Sequence, residues 1–218
     1  MFSIISGFLF LLIIVVLNVA SANYGYEIFS KLEPNDKLQT INEDPRKFKT
    51  GILLVVFEHV VIITLAVTMF VAFSPYNLIL GVVWLISRSL EGLIQINNKR
   101  NFLGLINIAE QYPGSSGADK EELSNYALSM LKTKNSTFTI AQLLFSIGTL
   151  AYSIVFVYYK IVPEILGWLG IGGSIIYGLG NVIYRLKPNS KAFWNLGGLL
   201  IFIFELVLGG WLLFSWLI

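Results

Sequence analysis

Long apolar stretches separated by polar segments dominate the pattern of this 218-residue chain. A membrane-spanning helix needs about 20 consecutive apolar residues, and six stretches reach that length. They are solidly apolar, whereas the strands of a membrane barrel alternate apolar and polar residues. The pattern therefore predicts an all-α integral membrane protein, a six-transmembrane-helix bundle in a single membrane domain that covers residues 1–218. The predicted spans are residues 2–21, 50–73, 76–97, 136–159, 165–184 and 193–217.

Composition supports this class. Hydrophobic residues make up 56% of the chain and charged residues 13%, whereas a soluble domain carries about 25% charge. This excludes a water-soluble fold, a nucleic-acid-binding protein and a disordered chain. The formal charge of +2 is too small to imply an anionic partner. The lipid bilayer is therefore the one partner that composition predicts.

The first long connection contains a predicted surface helix. The Pro-Asn-Asp sequence at residues 34–36 is a helix start signal, and the helix is expected to continue to about Glu43. The Asp-Pro pair at residues 44–45 then starts the second span, because proline is tolerated in the first turn of a helix.

The third connection contains a second predicted surface helix. Asp119 and Glu122 have the spacing of a capping box, and an amphipathic helix is expected to continue to Lys132. Its apolar face comprises Leu123, Tyr126, Ala127, Met130 and Leu131. This face either lies on the membrane surface or packs on the protein's own loops, and the sequence leaves both open.

Lysine and arginine indicate the orientation in the membrane. Of the 15 basic residues, 13 lie in the first, third and fifth connections, and Lys160 alone lies on the opposite face. Cytoplasmic loops carry the excess of basic residues. The sequence therefore predicts a multi-pass cell-membrane protein with cytoplasmic long loops and extracytoplasmic termini.

Four charged side chains lie inside the predicted spans, and the single histidine, His59, adjoins one of them. They are Glu58, Arg88, Glu91 and Glu205. Each costs about 2.5–3.5 kcal/mol at the centre of a membrane helix, so they are expected to face the interior and one another. Glu58 and Arg88 lie at about the same depth, counted at 1.5 Å per residue. We predict that Arg88 bonds at least one of Glu58 and Glu91, with Glu58 favoured.

Uncharged polar residues extend this pattern. In the third span Arg88, Glu91, Gln95 and Asn98 recur every three or four residues, which places them on one helix face. Gln142 belongs to a similar stripe in the fourth span, and a polar stripe should face other helices rather than lipid. The candidate ligand- or ion-site residues are Glu58, His59, Arg88, Glu91, Gln95, Gln142 and Glu205.

Two interpretations of these charges stay open. In the first, they form a purely structural network, as in a structural or accessory subunit of a membrane complex. In the second, they surround a small ligand or ion, as in a transporter, because one arginine cannot neutralise three carboxylates and an apolar setting penalises an unpaired one. Glu205 is then the carboxyl expected to be protonated or to meet the ligand. A membrane-protein partner or a second copy of the chain fits either interpretation.

An intramembrane enzyme is a third, weaker interpretation. The chain has one His and no Cys, and it lacks the HExxH and GxSxG motifs of metalloproteases and serine hydrolases. Adjacent residues point about 100° apart on a helix, which disfavours a metal shared by Glu58 and His59. We therefore predict no catalytic residue, no metal and no cofactor.

Small residues recur in the last two spans. Gly170, Ser174 and Gly178 are spaced four apart, and glycine pairs lie at residues 197–198 and 209–210. Such spacing is typical of membrane helices that approach closely, so both spans are expected to pack tightly.

Four sequence elements carry a resemblance to a known family. They are Glu58, Arg88-x-x-Glu91, Val162-Pro163-x-x-Leu166-Gly167, and Glu205 with the later Trp211-Leu212-Leu213. Together they resemble the prokaryotic multi-pass membrane proteins of domain of unknown function family 4386, over nearly the whole chain. The resemblance implies six membrane helices and no established activity, substrate or cofactor. Family members often begin with a basic segment, which implies a cytoplasmic N-terminus; this chain has none, and our orientation follows its own charges.

Overall fold

The computed structural model describes residues 1–187 and 191–214, and these residues form eight α-helices, one short 3-10 helix and no strand. Six of the helices are long and apolar enough to cross a membrane, so the prediction of an all-α, multi-pass membrane protein is confirmed. The α-helices are α1 Phe2–Tyr24, α2 Pro34–Glu43, α3 Pro45–Phe73, α4 Leu78–Phe102, α5 Leu105–Gln111, α6 Gly117–Tyr158, α7 Glu164–Leu186 and α8 Ala192–Phe214. Residues 215–217 of the sixth predicted span lie outside the described residues.

The chain divides into two compact units. The span unit comprises Met1–Val15, Val60–Leu93 and Thr139–Ile218, as far as these are described, and the loop unit comprises Val16–His59 and Ile94–Phe138. The loop unit therefore contains the first and third connections together with the helix ends that flank them. The single membrane domain expected from the sequence stays a prediction.

Aromatic side chains fill the core of the span unit. Tyr152 on α6 is 3% exposed and lies edge-on to Trp84, with ring centres 4.5 Å apart. It also stacks on Phe204, at 5.9 Å. Trp84 donates its indole N–H to the backbone carbonyl of Ala66, 3.1 Å away. The polar edge of the indole is thus satisfied inside an apolar core, as buried tryptophan requires.

Glycines bring the helices of the span unit into close contact. A Cβ atom on Gly197 would lie 2.5 Å from the backbone nitrogen of Tyr177, and one on Gly180 would lie 2.7 Å from that of Trp194. Helices α7 and α8 therefore pack backbone to backbone at these two positions. On the far part of α8, a Cβ on Gly209 would lie 3.0 Å from the Leu11 side chain of α1. The close approach predicted from the small residues of the last two spans is confirmed.

The loop unit has an apolar core of its own. Helix α2 begins at Pro34 and ends at Glu43, as predicted, and the next helix begins at Pro45. Leu38 and Ile41 of α2 are buried against α5, a short helix that the sequence pattern did not predict. Helices α2 and α5 are both amphipathic, and each buries its apolar face on the other.

The predicted helix from Asp119 to Lys132 is the first part of α6, which continues without a break to Tyr158. Its 42 residues correspond to about 63 Å at 1.5 Å per residue, twice the hydrocarbon thickness of a bilayer. Ala127 and Leu131 are buried in the loop-unit core, which supports packing on the protein's own loops. Tyr126 does not join this core, because 61% of the residue is exposed.

Candidate functional site

Arg88 of α4 is the central cation of the span unit. Its Nη1 atom donates a hydrogen bond to Glu91, one turn along the same helix, and the two residues are only 2% and 3% exposed. The prediction that Arg88 bonds at least one of the two glutamates is thereby confirmed, through Glu91. Glu58 belongs to the loop unit, and the preference for it stays a prediction.

Aromatic rings and a glycine surround the Arg88 guanidinium. Its central carbon lies 5.3 Å from the ring centre of Trp84 and 4.5 Å from that of Phe145. A Cβ on Gly148 would lie 3.1 Å from the Arg88 side chain, so the absence of a side chain there leaves room for the arginine. Cations over aromatic faces gain about 2 kcal/mol when they are desolvated, which adds to the ion pair.

Two buried tyrosines connect this ion pair to Glu205. Tyr152 lies within electrostatic range of Arg88 and Glu205, and Tyr177 lies within range of Glu91 and Glu205. Glu205 itself is half-buried on α8. The span unit thus brings three of the predicted charged residues into one cluster with two phenol groups, which we call the Arg88 cluster.

The polar stripe of α6 also faces the interior of the span unit. Ser146 and Ser153 are buried, whereas Gln142 is half-buried. Ser153 Oγ and Arg88 Nε are buried without a hydrogen-bond partner in the part of the chain that the structure describes. Buried polar atoms nearly always have a partner, so these atoms can take further hydrogen bonds.

Glu58 and His59 lie in the loop unit and come unexpectedly close to each other. His59 Nδ1 hydrogen-bonds the backbone carbonyl of Val55 at 2.6 Å and lies 2.7 Å from Glu58 Oε2. Their side chains thus meet although adjacent residues point about 100° apart on a helix. Glu58 Oε2 is buried and accepts no hydrogen bond of proper geometry among the described residues.

Gln95 positions a buried lysine. Lys99 Nζ donates to Gln95 Oε1 at 2.9 Å and lies 5.6 Å from the ring centre of Tyr26. Lys99 is fully buried and within electrostatic range of Glu58. Gln95 Nε2 has no partner among the described residues.

Lys134 of α6 is the second buried lysine. It is 1% exposed, and its Nζ donates to the backbone carbonyls of Glu27 and Ile28 at 2.7 and 2.8 Å. It also lies 5.3 Å from the ring centres of Tyr26 and Phe102. Burial raises the pKa of Tyr26 well above its ordinary value, and the nearby Glu58 raises it further. The tyrosine therefore stays neutral between the two lysine side chains.

Neither lysine was a candidate on sequence grounds, because both lie outside the predicted spans and were counted with the solvated loop charges. The sequence does contain a signal for Lys134. Leu131 follows Ala127 by four residues and Lys134 follows Leu131 by three, so Lys134 continues the apolar face of that helix. Lys99 follows Gln95 by four residues, which puts the two on one helix face.

Among the described residues, no group of three His, Cys, Asp or Glu side chains is placed to hold a metal ion.

Of the elements that carried the family resemblance, Val162 and Leu166 are buried in the span-unit core. Their part in the fold is packing, whereas Arg88 and Glu91 form the buried ion pair.

Comparison with known proteins adds one finding. No curated protein and no solved structure matches the chain. A family profile described as domain of unknown function (DUF4386) matches residues 5–216. The chain is therefore a multi-pass membrane protein that belongs to the DUF4386 family.

Proposed function

We propose that this protein binds a small cation or a proton at the Arg88 cluster, and that transport of this ion is its activity. The charge balance of the cluster carries the proposal. The cluster contains one arginine and two glutamates, and Arg88 is paired with Glu91. An apolar setting disfavours a net negative charge, so a cluster of this composition favours the binding of a proton or a small cation.

The two tyrosines fit this role. Tyr152 and Tyr177 are both buried and each lies within electrostatic range of Glu205 and of one member of the ion pair. Phenol groups both donate and accept hydrogen bonds, and buried ionisable groups in membrane proteins mark ion pathways and proton relays. The proposal assigns no catalytic residue and no cofactor.

Proton flux in reconstituted liposomes tests the proposal. Wild-type protein, Glu205→Gln and the control Glu164→Gln are reconstituted with a pH-sensitive dye inside, and a potassium diffusion potential is imposed. Glu164 is exposed at the start of α7, so its substitution makes the same charge change outside the cluster. We expect flux from the wild type and the control, and about tenfold less from Glu205→Gln.

Sodium and potassium are the other ions to test, by their effect on the melting temperature in detergent. A stabilisation that Glu205→Gln abolishes identifies the metal cation instead of the proton as the ligand. If neither flux nor stabilisation differs between wild type and Glu205→Gln, the ion-binding proposal is wrong.

A structural role in a membrane complex is the alternative, and one observation favours it: Arg88 is paired with Glu91 and enclosed by two aromatic rings. Such a network fixes the packing of α4 without any ligand. In that case Glu205→Gln should lower the melting temperature, and neither the wild type nor the variant should show proton flux.

We further propose that the long loops face the cytoplasm and that both termini face the outside. The reason is that 13 of the 15 basic residues lie in the first, third and fifth connections, and cytoplasmic loops carry the excess of basic residues. Single cysteines in this Cys-free chain, Phe2→Cys and Ser116→Cys, test this with an impermeant thiol reagent on intact cells. Both positions are exposed, and residue 116 avoids the positive φ of Gly117. Labelling of 116 but not of 2 would reverse the orientation.

A further inference from the structure

A cleft lies on the loop unit, independent of the Arg88 cluster. Its lining includes Tyr24 at the end of α1 and Gly51 near the start of α3. It also includes Glu27, Ser30, Lys37 and Phe48.

One ammonium and one carboxylate form the charged part of this cleft. Lys37 Nζ donates to Glu27 Oε2 at 3.1 Å and lies 5.9 Å from the ring centre of Phe48. An ammonium has three N–H donors, so two remain after the bond to Glu27. Lys37 can therefore donate to an additional oxygen without giving up its ion pair.

Ser30 contributes an unused hydroxyl to the same cleft. Its backbone is fixed by Asn135, whose side-chain oxygen accepts from the Ser30 N–H at 2.9 Å and whose side-chain nitrogen donates to the Ser30 carbonyl at 2.8 Å. The residue is 5% exposed, and its Oγ has no hydrogen-bond partner among the described residues. A buried hydroxyl is expected to have a partner, so the cleft holds an unfilled hydrogen-bonding position.

The position of the cleft along the helices suggests where the partner comes from. Tyr24 ends the apolar helix α1, and Gly51 precedes the apolar run of α3. Lipid headgroups lie at this boundary, where aromatic side chains are also enriched. Three exposed basic residues, Arg46, Lys47 and Lys49, lie near the start of α3, and each basic residue near a membrane surface is attracted to anionic lipids.

We infer that this cleft binds the phosphate of a phospholipid headgroup, with the Lys37 ammonium and the Ser30 hydroxyl donating to the phosphate oxygens. Phe48 and Tyr24 form the apolar wall against which the glycerol end of the lipid packs. The site uses none of the residues of the Arg88 cluster, so its test does not depend on the transport proposal.

The melting temperature of the full chain in detergent tests this inference. Dioleoyl phosphatidylglycerol, dioleoyl phosphatidylethanolamine, dioleoylglycerol and inorganic phosphate are titrated separately. We expect both phospholipids to stabilise the wild type, and dioleoylglycerol, which has the same chains without the phosphate, to have no effect.

Ser30→Ala is the decisive variant, because the hydroxyl it removes has no partner within the described protein and the two backbone bonds to Asn135 remain. About ten times more phospholipid should be needed for the same stabilisation, the size expected for one lost hydrogen bond to a charged group. Ser129→Ala, an exposed position on α6 of the same unit, is the matched control and should behave as the wild type.

Lys37→Met should weaken the phospholipid effect further, whereas Lys31→Met, an exposed neighbour, should not. Equal stabilisation by dioleoylglycerol, or an unchanged phospholipid titration in Ser30→Ala, overturns the inference. If inorganic phosphate alone reproduces the full stabilisation, the ligand is a soluble phosphate and the assignment to a lipid is wrong.

Discussion

The span unit and the loop unit both bury basic side chains, but they satisfy them in different ways. In the span unit Arg88 donates to the carboxylate of Glu91 on its own helix. In the loop unit Lys134 donates to two backbone carbonyls, those of Glu27 and Ile28. The first arrangement pairs a cation with a carboxylate, whereas the second satisfies the amino group of a lysine with backbone dipoles.

This difference determines what each basic side chain holds in place. The Arg88–Glu91 bond joins two residues of α4, so it can form wherever that helix forms, and only the surrounding rings depend on the fold. The Lys134 bonds connect α6 to a segment more than 100 residues earlier in the chain. Lys134 therefore fixes the conformation of the connection after α1.

The largest expected effect comes from breaking the charge pair of the span unit. Arg88→Met leaves the Glu91 carboxylate buried without its cation, which costs about 3–5 kcal/mol for buried pairs. The loss is measured by unfolding in mixed detergent micelles. Arg185→Met, an exposed position on α7, is the control and should change the free energy of unfolding by less than about 0.5 kcal/mol.

The double variant Arg88→Met with Glu91→Met sharpens this result. Because it removes both charges, it should be more stable than Arg88→Met alone, and the coupling between the two sites should exceed about 1 kcal/mol. Purely additive losses would mean that the two side chains do not stabilise each other.

A smaller and more local effect is expected in the loop unit. Lys134→Met removes the donors of two backbone carbonyls, and leaving such acceptors unsatisfied costs about 1–3 kcal/mol. Amide hydrogen exchange should accelerate in residues 25–31 while the amides of α7 and α8 keep their protection. Lys132→Met, exposed on the same helix, serves as the control; faster exchange throughout both units would contradict a local role.

The glycines of the span unit differ from one another in their expected effects, and Gly172 gives the smallest effect of all. Gly197→Ala places a methyl group 2.5 Å from the backbone of Tyr177, and overpacking of this kind costs about 1–3 kcal/mol. Gly172→Ala has open space around the new methyl group and should raise helix stability by a few tenths of a kcal/mol to about 1 kcal/mol. Melting temperatures that move in the same direction would remove the distinction between the two glycines.

Hydropathy alone predicted the six spans to within a few residues at most ends, because the desolvation of a membrane helix depends on local composition and length. The bounds of the short helix from Pro34 to Glu43 could also be predicted, because its start and stop residues act through local backbone chemistry. The same local patterns placed Arg88 and Glu91 on one helix face, and the spacing of three residues brings them within bonding distance.

Tertiary structure alone decided which charges are buried outside the spans. Lys99 and Lys134 cannot be told from their solvated neighbours by residue type, and their burial depends on Tyr26 and on carbonyl groups distant in sequence. Likewise, the burial of Ala127 rather than Tyr126 depends on where α2 and α5 pack against α6. A sequence determines the local preferences of each helix, but the partners that offset a buried charge come from other parts of the chain, and only the folded molecule brings them together.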